Sequence, residues 1–258
     1  MEESPPFRYT GQPLSYELIA SISNAFDLAG IPSVLWGAFP MIIHGVGLVQ
    51  PELDFVVSDE DLDRAYEVVL ARGFPPCSVD NCRYYPESDW YMRGYPAAPK
   101  HLHLNGDEDN VLLLHRKSER LWAVPTFEPL SHKEHPEAKI ILASDPVLPP
   151  WNIAKCAGAF PDTLPPVRIP SAHFLVEALL RLAVHYFIDE NSTEPFSGQW
   201  IGDAALFEDE YRKRCQPVQD QYMDPRYRDF FKAFLLEGGR LQTLIPLLKQ
   251  PLESPADE

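Results

Sequence analysis

Glu52 and Asp54 flank a single residue in Glu52-Leu53-Asp54-Phe55-Val56-Val57, a run whose apolar and β-branched residues favour a strand. Side chains alternate along a strand, so the two carboxylates stand on one face while Leu53, Phe55 and Val57 enter a core. Like charges at that spacing call for compensation. The options are a hard divalent cation such as magnesium, a bound guanidinium or ammonium group, or a proton kept by one carboxyl at a raised pKa. Without any of these the pair is the hydrated face of an edge strand.

The elements around the pair suit the first options. Ser15 to Ala29 carries Leu18, Ile19, Ile22, Phe26 and Leu28 at helical spacing and stops at Gly30, with Pro32 beyond. A strand at Val34-Leu35-Trp36, a turn at Gly37-Ala38 and a short apolar helix then lead into the acidic strand. Ser58-Asp59-Glu60-Asp61 opens the next helix with acidic groups near the positive end of its dipole. That helix runs from about Leu62 to Arg72, buries Leu62, Ala65, Tyr66, Val69 and Leu70, and ends at Gly73.

This order resembles the nucleotidyltransferase superfamily of the polymerase-beta type. In that family a hydrophobic residue and Gly-Gly or Gly-Ser occupy a turn, and a D-x-D or D-x-E strand follows about a dozen residues later. Trp36-Gly37-Ala38 matches the first element, and Glu52-Leu53-Asp54 matches the second after thirteen intervening residues. The resemblance covers roughly residues 15 to 75. It implies that Glu52 and Asp54 are catalytic and hold magnesium, and that Trp36, Gly37 and Ala38 lie under a nucleotide. Two positions depart from the pattern. Ala38 stands for Gly or Ser, and Glu52 carries its carboxylate one methylene further out than the family Asp. The third family carboxylate is expected on a later strand, but His101-Leu102-His103-Leu104 offers imidazoles, with His103 a substrate-contact candidate. Asp107, Glu108 and Asp109 follow in what reads as a hairpin loop before Val111 to Leu114, either completing a triad or simply forming the turn.

Charge limits the partners. The chain has 258 residues, 38 acidic against 22 basic, for a formal net charge of −16, and through position 80 its Lys and Arg residues are Arg8, Arg64 and Arg72 alone. Duplex DNA binding is disfavoured, because it needs a basic stripe. Local phosphate contacts remain open at Arg116, Lys117 and Arg120, at Arg212, Lys213 and Arg214, and at Arg226 with Arg228; Arg116 and Lys117 are the candidates for binding substrate. No apolar stretch approaches membrane-spanning length, and Met1-Glu2-Glu3-Ser4-Pro5-Pro6 lacks the basic start and apolar run of a secretory leader, so a soluble, cytoplasmic protein is expected. Cys77, Cys82, Cys156 and Cys215 show no C-x-x-C spacing, which predicts reduced thiols with neither a disulfide framework nor a zinc site.

The expected fold class is α+β: a small mixed-sheet, nucleotidyltransferase-like domain over 1–150, then a mostly helical region over 151–258 that packs on the cleft. Short strands are expected at 34–36, 53–57, 101–104, 111–114, 121–124 and 139–143. Pro75 to Lys100 is irregular and rich in rings (Tyr84, Tyr85, Trp90, Tyr91, Tyr95), either a stacking wall or loop packing. Helices are expected over Ala172 to Phe187 behind Ser171, with Glu177 paired to Arg181, and over Asp203 to Arg214, Pro225 to Glu237 and Leu241 to Lys249. His173 and His185 read as structural. No G-x-G-x-x-G, P-loop, G-x-S-x-G or H-E-x-x-H motif is present.

Three functions fit this sequence. One is a nucleotidyltransferase-like enzyme with an altered active-site motif, acting on a small molecule or tRNA-linked substrate with magnesium. A second keeps the fold but uses the acidic pair to grip a guanidinium without metal. The chain is also similar in general character, without a diagnostic motif, to fungal arginine-containing cyclodipeptide synthases of secondary metabolism. That likeness implies an aminoacyl-tRNA partner met by the basic runs. The third is a non-catalytic interaction module on a degenerate fold.

Overall fold

A computed structural model describes residues 7–49, 52–80, 82–85, 97–105, 109–152, 154, 156–186, 196–214 and 217–236. The chain begins with α1, Tyr16–Leu28, whose N-cap Ser15 accepts a hydrogen bond from the Leu18 amide at 3.3 Å. Leu18, Ile19, Ile22 and Phe26 form its buried face, as the spacing predicts, whereas Leu28 at the last position is exposed. After Gly30, in the left-handed region at φ 69°, come β1, Ser33–Trp36, and α2, Ala38–Ile43. The acidic strand is β2, Glu52–Val57, followed by a 3-10 turn at Asp59–Asp61 and α3, Leu62–Ala71.

The sheet is completed by β3, Lys100–His103, and β4, Val111–Arg116. Strand order is β1-β2-β4-β3, with β2 and β4 parallel and both outer pairings antiparallel. The molecule is thus a mixed α+β structure with a small mixed sheet, as expected. Beyond it lie α4, Lys117–Arg120, a two-stranded pairing of β5, Ile140–Leu142, with β6, Arg168–Pro170, and three longer helical elements: α5, Ala172–His185, α6, Phe196–Arg214, and α7, Pro225–Phe231.

Period-two alternation sends each sheet strand into two environments. One face gives Leu35, Leu53, Phe55, Val57, Leu102, Leu104, Leu112 and Leu114 to a core shared with α1 and α3. The other face is covered in two pieces. Val34, Trp36 and Val56 pack against α5, α6 and α7, whereas Val111 and Leu113 pack against Cys82, Tyr84 and Ala98. A gap therefore opens between the two covers.

Several sequence expectations change. Residues 121–124 form a turn rather than a strand, because Pro125 follows without an amide donor and Leu121 and Val124 are buried against the helical layer instead. Strand β6 has no signature in the sequence, being three residues long and ending in Pro170. It packs against β1, and its Ile169 together with the preceding Val167 joins the α1/α3 core, so chain beyond position 150 contributes to the sheet side. Helix α6 starts earlier than predicted, and α7 continues past Phe231 as a π-helical turn over Lys232–Leu236. Ser171 occupies the N-cap of α5 without a side-chain capping bond; its hydroxyl lies 3.4 Å from the His173 ring. The expected helix at 241–249 and the rings of Trp90, Tyr91 and Tyr95 lie outside the described residues.

The helical layer is pinned by a buried carboxylate. Glu177, 1% exposed, accepts from Arg181 Nε at 2.8 Å and from the Asp224 amide at 2.8 Å, while Arg181 Nη2 reaches Asp224 Oδ2 at 3.1 Å and its guanidinium lies over the Tyr227 ring. Removing one partner of a buried ion pair strands the other, at a cost of about 3–5 kcal/mol. Glu177→Ala is accordingly expected to lower the urea-unfolding free energy by about 3 kcal/mol, and Glu177→Gln, which keeps an acceptor oxygen, by less. Equal losses in the two variants would show that volume rather than the hydrogen-bonded pair holds α5 to α7.

Candidate functional site

The gap between the two covers is a cavity of about 430 Å³, within the range of small-molecule pockets. Its floor is the acidic face of β2, with Glu52 and Asp54 side by side. The Gly37 turn borders it, α5 and α6 supply Leu179, Trp200, Asp203 and Leu206, and Tyr84 and Arg120 close other sides.

Asp54 is fixed from two directions. Its Oδ1 receives a hydrogen bond from His115 Nε2 at 2.8 Å, and both groups are buried. His115 sits on β4, two residues beyond Leu113, which is paired with Asp54. Burial and the nearby Arg120 charge lower the His115 pKa against the opposing pull of Asp54, so the ring is neutral and uses its proton to orient the carboxylate. Asp54 Oδ2 faces Gly37, which has φ 71°, and a Cβ there would stand 2.6 Å from that oxygen. Glycine is thus required twice over at the turn, for its dihedral and for the approach of the carboxylate. Glu52 Oε1 accepts from the Tyr84 hydroxyl at 2.7 Å, and burial together with the Glu52 charge raises the Tyr84 pKa, keeping the phenol a donor.

Of the residues singled out in the sequence, Trp36, Gly37, Ala38, Glu52 and Asp54 all line this cavity. His103, Arg116 and Lys117 do not. The His103 ring lies 3.3 Å from Cys82 Sγ on the far part of the sheet face, Arg116 pairs with Glu119 at 2.9 Å, and Lys117 donates to the Pro125 carbonyl at 2.8 Å. The other basic runs are paired as well: Arg212 with Glu208, Lys213 with Asp209, Arg226 with Asp224 and Arg228 with Asp229. No carboxylate supplies a third wall from the hairpin within the described residues. Asp109 pairs with Arg83 at 3.0 Å, and Asp107 and Glu108 lie outside them. Arg120, one of the basic residues named for phosphate contact, also lines the cavity, whereas His115, Trp200 and Asp203 carry no such expectation in the sequence. A His at the end of a strand level with the acidic pair was the available signal for His115; the α6 residues have no local signature.

Asp203 changes what the cavity can do. Burial raises its pKa to about 6, against a hydrogen bond donated by Gln199 at 2.9 Å. A carboxyl poised there exchanges a proton near neutrality, as a general base must. Arg120, buried and with its guanidinium over the Trp200 ring, adds one positive charge to the wall. Two adjacent carboxylates fit magnesium, which binds one or two protein carboxylates and completes its shell with water and substrate phosphates.

No family model matches the chain, and no curated protein matches it. Among solved structures it is similar to the solution structure of the antibiotic-resistance factor ANT(2'')-Ia, at 13% identity over 76% of this chain and 90% of that one, with a TM-score of 0.34. 

Gly37→Ala must move Asp54 or the turn, and a drop of about 1–3 kcal/mol in stability is expected by chemical denaturation. An unchanged midpoint would mean that the turn relaxes freely. Asp203 gives a pH signature. Its folded pKa lies above the unfolded value, so its favourable contribution is present below about pH 4 and lost as pH rises through about 6. Asp203→Asn should therefore stabilise the protein at pH 8 by on the order of 2 kcal/mol, with the gain vanishing by pH 4, as thermal unfolding across that range would register.

Proposed function

We propose that this protein is a nucleotidyltransferase-like enzyme with an altered active-site motif that acts on a small-molecule acceptor. The observation that carries the reading is the convergence on one cavity of the Gly37 turn, the Glu52/Asp54 pair and, from α6, Asp203 with its pKa near neutrality. Glu52 and Asp54 would hold magnesium, which when bound offsets phosphate charge and favours ionisation of an attacking hydroxyl. Tyr84 and His115 hold the two carboxylates in place through their hydrogen bonds. Arg120 supplies the positive charge that phosphate oxygens seek, the indoles of Trp36 and Trp200 offer flat apolar walls for a base or ring, and Asp203 takes the acceptor proton.

A second reading is favoured by one specific feature. Glu52, Asp54 and Asp203 face the same space beside aromatic walls, an arrangement that suits a guanidinium or ammonium ligand without metal.

A thermal-shift panel separates the two. Nucleoside triphosphates with magnesium should raise the melting temperature of the wild type, with the shift abolished by chelator and by Asp54→Asn. An arginine amide that stabilises the protein in the presence of chelator, and fails with Asp54→Asn, would replace the first reading by the second. Silence from every ligand would sink both.

A further inference from the structure

Away from this cavity, on the β3 side of the same sheet face, Cys77, Cys82, His101 and His103 bring four ligand atoms within 4.8 Å of one another. From these residues we infer a zinc-binding site of the Cys2His2 type, independent of the function proposed above. The sequence argument against zinc rested on the absence of C-x-x-C spacing, and the fold overturns that argument. His101 and His103 are two apart on β3, so alternation turns both imidazoles to one face while Leu102 and Leu104 go to the opposite core. The chain entering from α3 lays Cys77 and Cys82 over that face.

The geometry has the dimensions of a tetrahedral site. With zinc–sulfur bonds of about 2.3 Å and zinc–nitrogen bonds of about 2.0 Å, neighbouring ligand atoms stand about 3.6 Å apart. Cys82 Sγ lies 3.4 Å from His101 Nε2 and 3.3 Å from His103 Nε2. Three of the four residues are buried and Cys77 is half-buried, which leaves one ligand toward solvent for metal entry. On binding, the two thiols release their protons to water, and two thiolates neutralise the dication. A buried site with no net charge carries the smallest desolvation penalty.

The surrounding packing explains what such an ion would do. Among the described residues the apolar cluster here is small, with Cys82, Tyr84, Ala98, Val111 and Leu113 at its centre and Cys77 and Val79 packed against it. Small apolar clusters are the setting in which a metal adds most to holding chain against chain. All four coordination positions are filled by protein, as in structural rather than catalytic sites. The segment it would fasten includes Tyr84, the donor to Glu52, so the zinc is a positioning device for one wall of the cavity.

The test uses the full chain. Protein produced with added zinc should contain one equivalent per chain. X-ray absorption should show two sulfur and two nitrogen neighbours, and cobalt(II) substitution should give the visible spectrum of a tetrahedral dithiolate site. Cys77→Ser, at the more exposed ligand, should weaken binding by about 100-fold or more, since loss of even an outer partner of a zinc ligand costs 10–100-fold. Cys156→Ser should leave the metal content unchanged. Removing zinc should raise hydrogen exchange at residues 77–80 and 82–85 above the rise elsewhere. Metal-free protein that takes up neither zinc nor cobalt, or zinc bound without sulfur neighbours, would overturn the assignment. Both measurements are made on the wild type, so they decide even if a ligand variant does not fold.

Discussion

Everything about the cavity depends on the carboxylate of Asp54 being held between a ring and a glycine. It is almost wholly buried, its Oδ1 engaged by His115 and its Oδ2 set against Gly37. A buried carboxylate without such partners would be costly, and the partners fix its direction as well as its charge. The glycine turn, the register of β1 on β2 and the parallel pairing of β2 with β4 are all required to bring these groups together. Trp36 lies opposite Asp54 on one side and Leu113 on the other. A slip of one residue in either pairing would exchange the acidic face of β2 for its apolar face.

The same alternation accounts for where the cavity lies. One face of the sheet is covered continuously by α1 and α3, and its apolar residues were legible because each strand carried them at every second position. Among the described residues the opposite face is covered by two pieces of chain, helices from the C-terminal half and the segment that carries Cys82 and Tyr84. Glu52 and Asp54 line the cavity between them.

The sequence was most legible where the interactions are local. Ser15 at the head of α1, the glycine after it, the acidic strand and the helix behind it all occur within one stretch of chain, and their spacing specifies them. Glu177 with Arg181 was legible for the same reason, being one helical turn apart. Residues brought in from a distance were not legible. Asp203 looks like any acidic residue on a helix until α6 is laid against the cavity, and the two cysteines carry no recognisable spacing until β3 supplies the histidines beside them. His103 is the converse case. Its alternation is legible, but the sheet face it shares with the acidic pair extends past the cavity, and His103 lies on the far part, beside Cys82. Arg116 and Lys117 lie off the cavity for a simpler reason, since each has a nearer acceptor, Glu119 and the Pro125 carbonyl respectively.

The parallel contact between β2 and β4 has a further consequence, for the order in which the molecule assembles. An antiparallel neighbour such as β1 is joined to β2 through α2 and can dock early, but β4 must return from Val111 to lie beside Glu52, with α3 and the cysteine-bearing segment in between. Closing so long a loop costs entropy before any contact compensates for it. The half of the site carried by Trp36, Gly37, Glu52 and Asp54 can therefore take shape while His115 is still remote. The carboxylate of Asp54 receives its buried hydrogen bond only as the central pairing of the sheet closes.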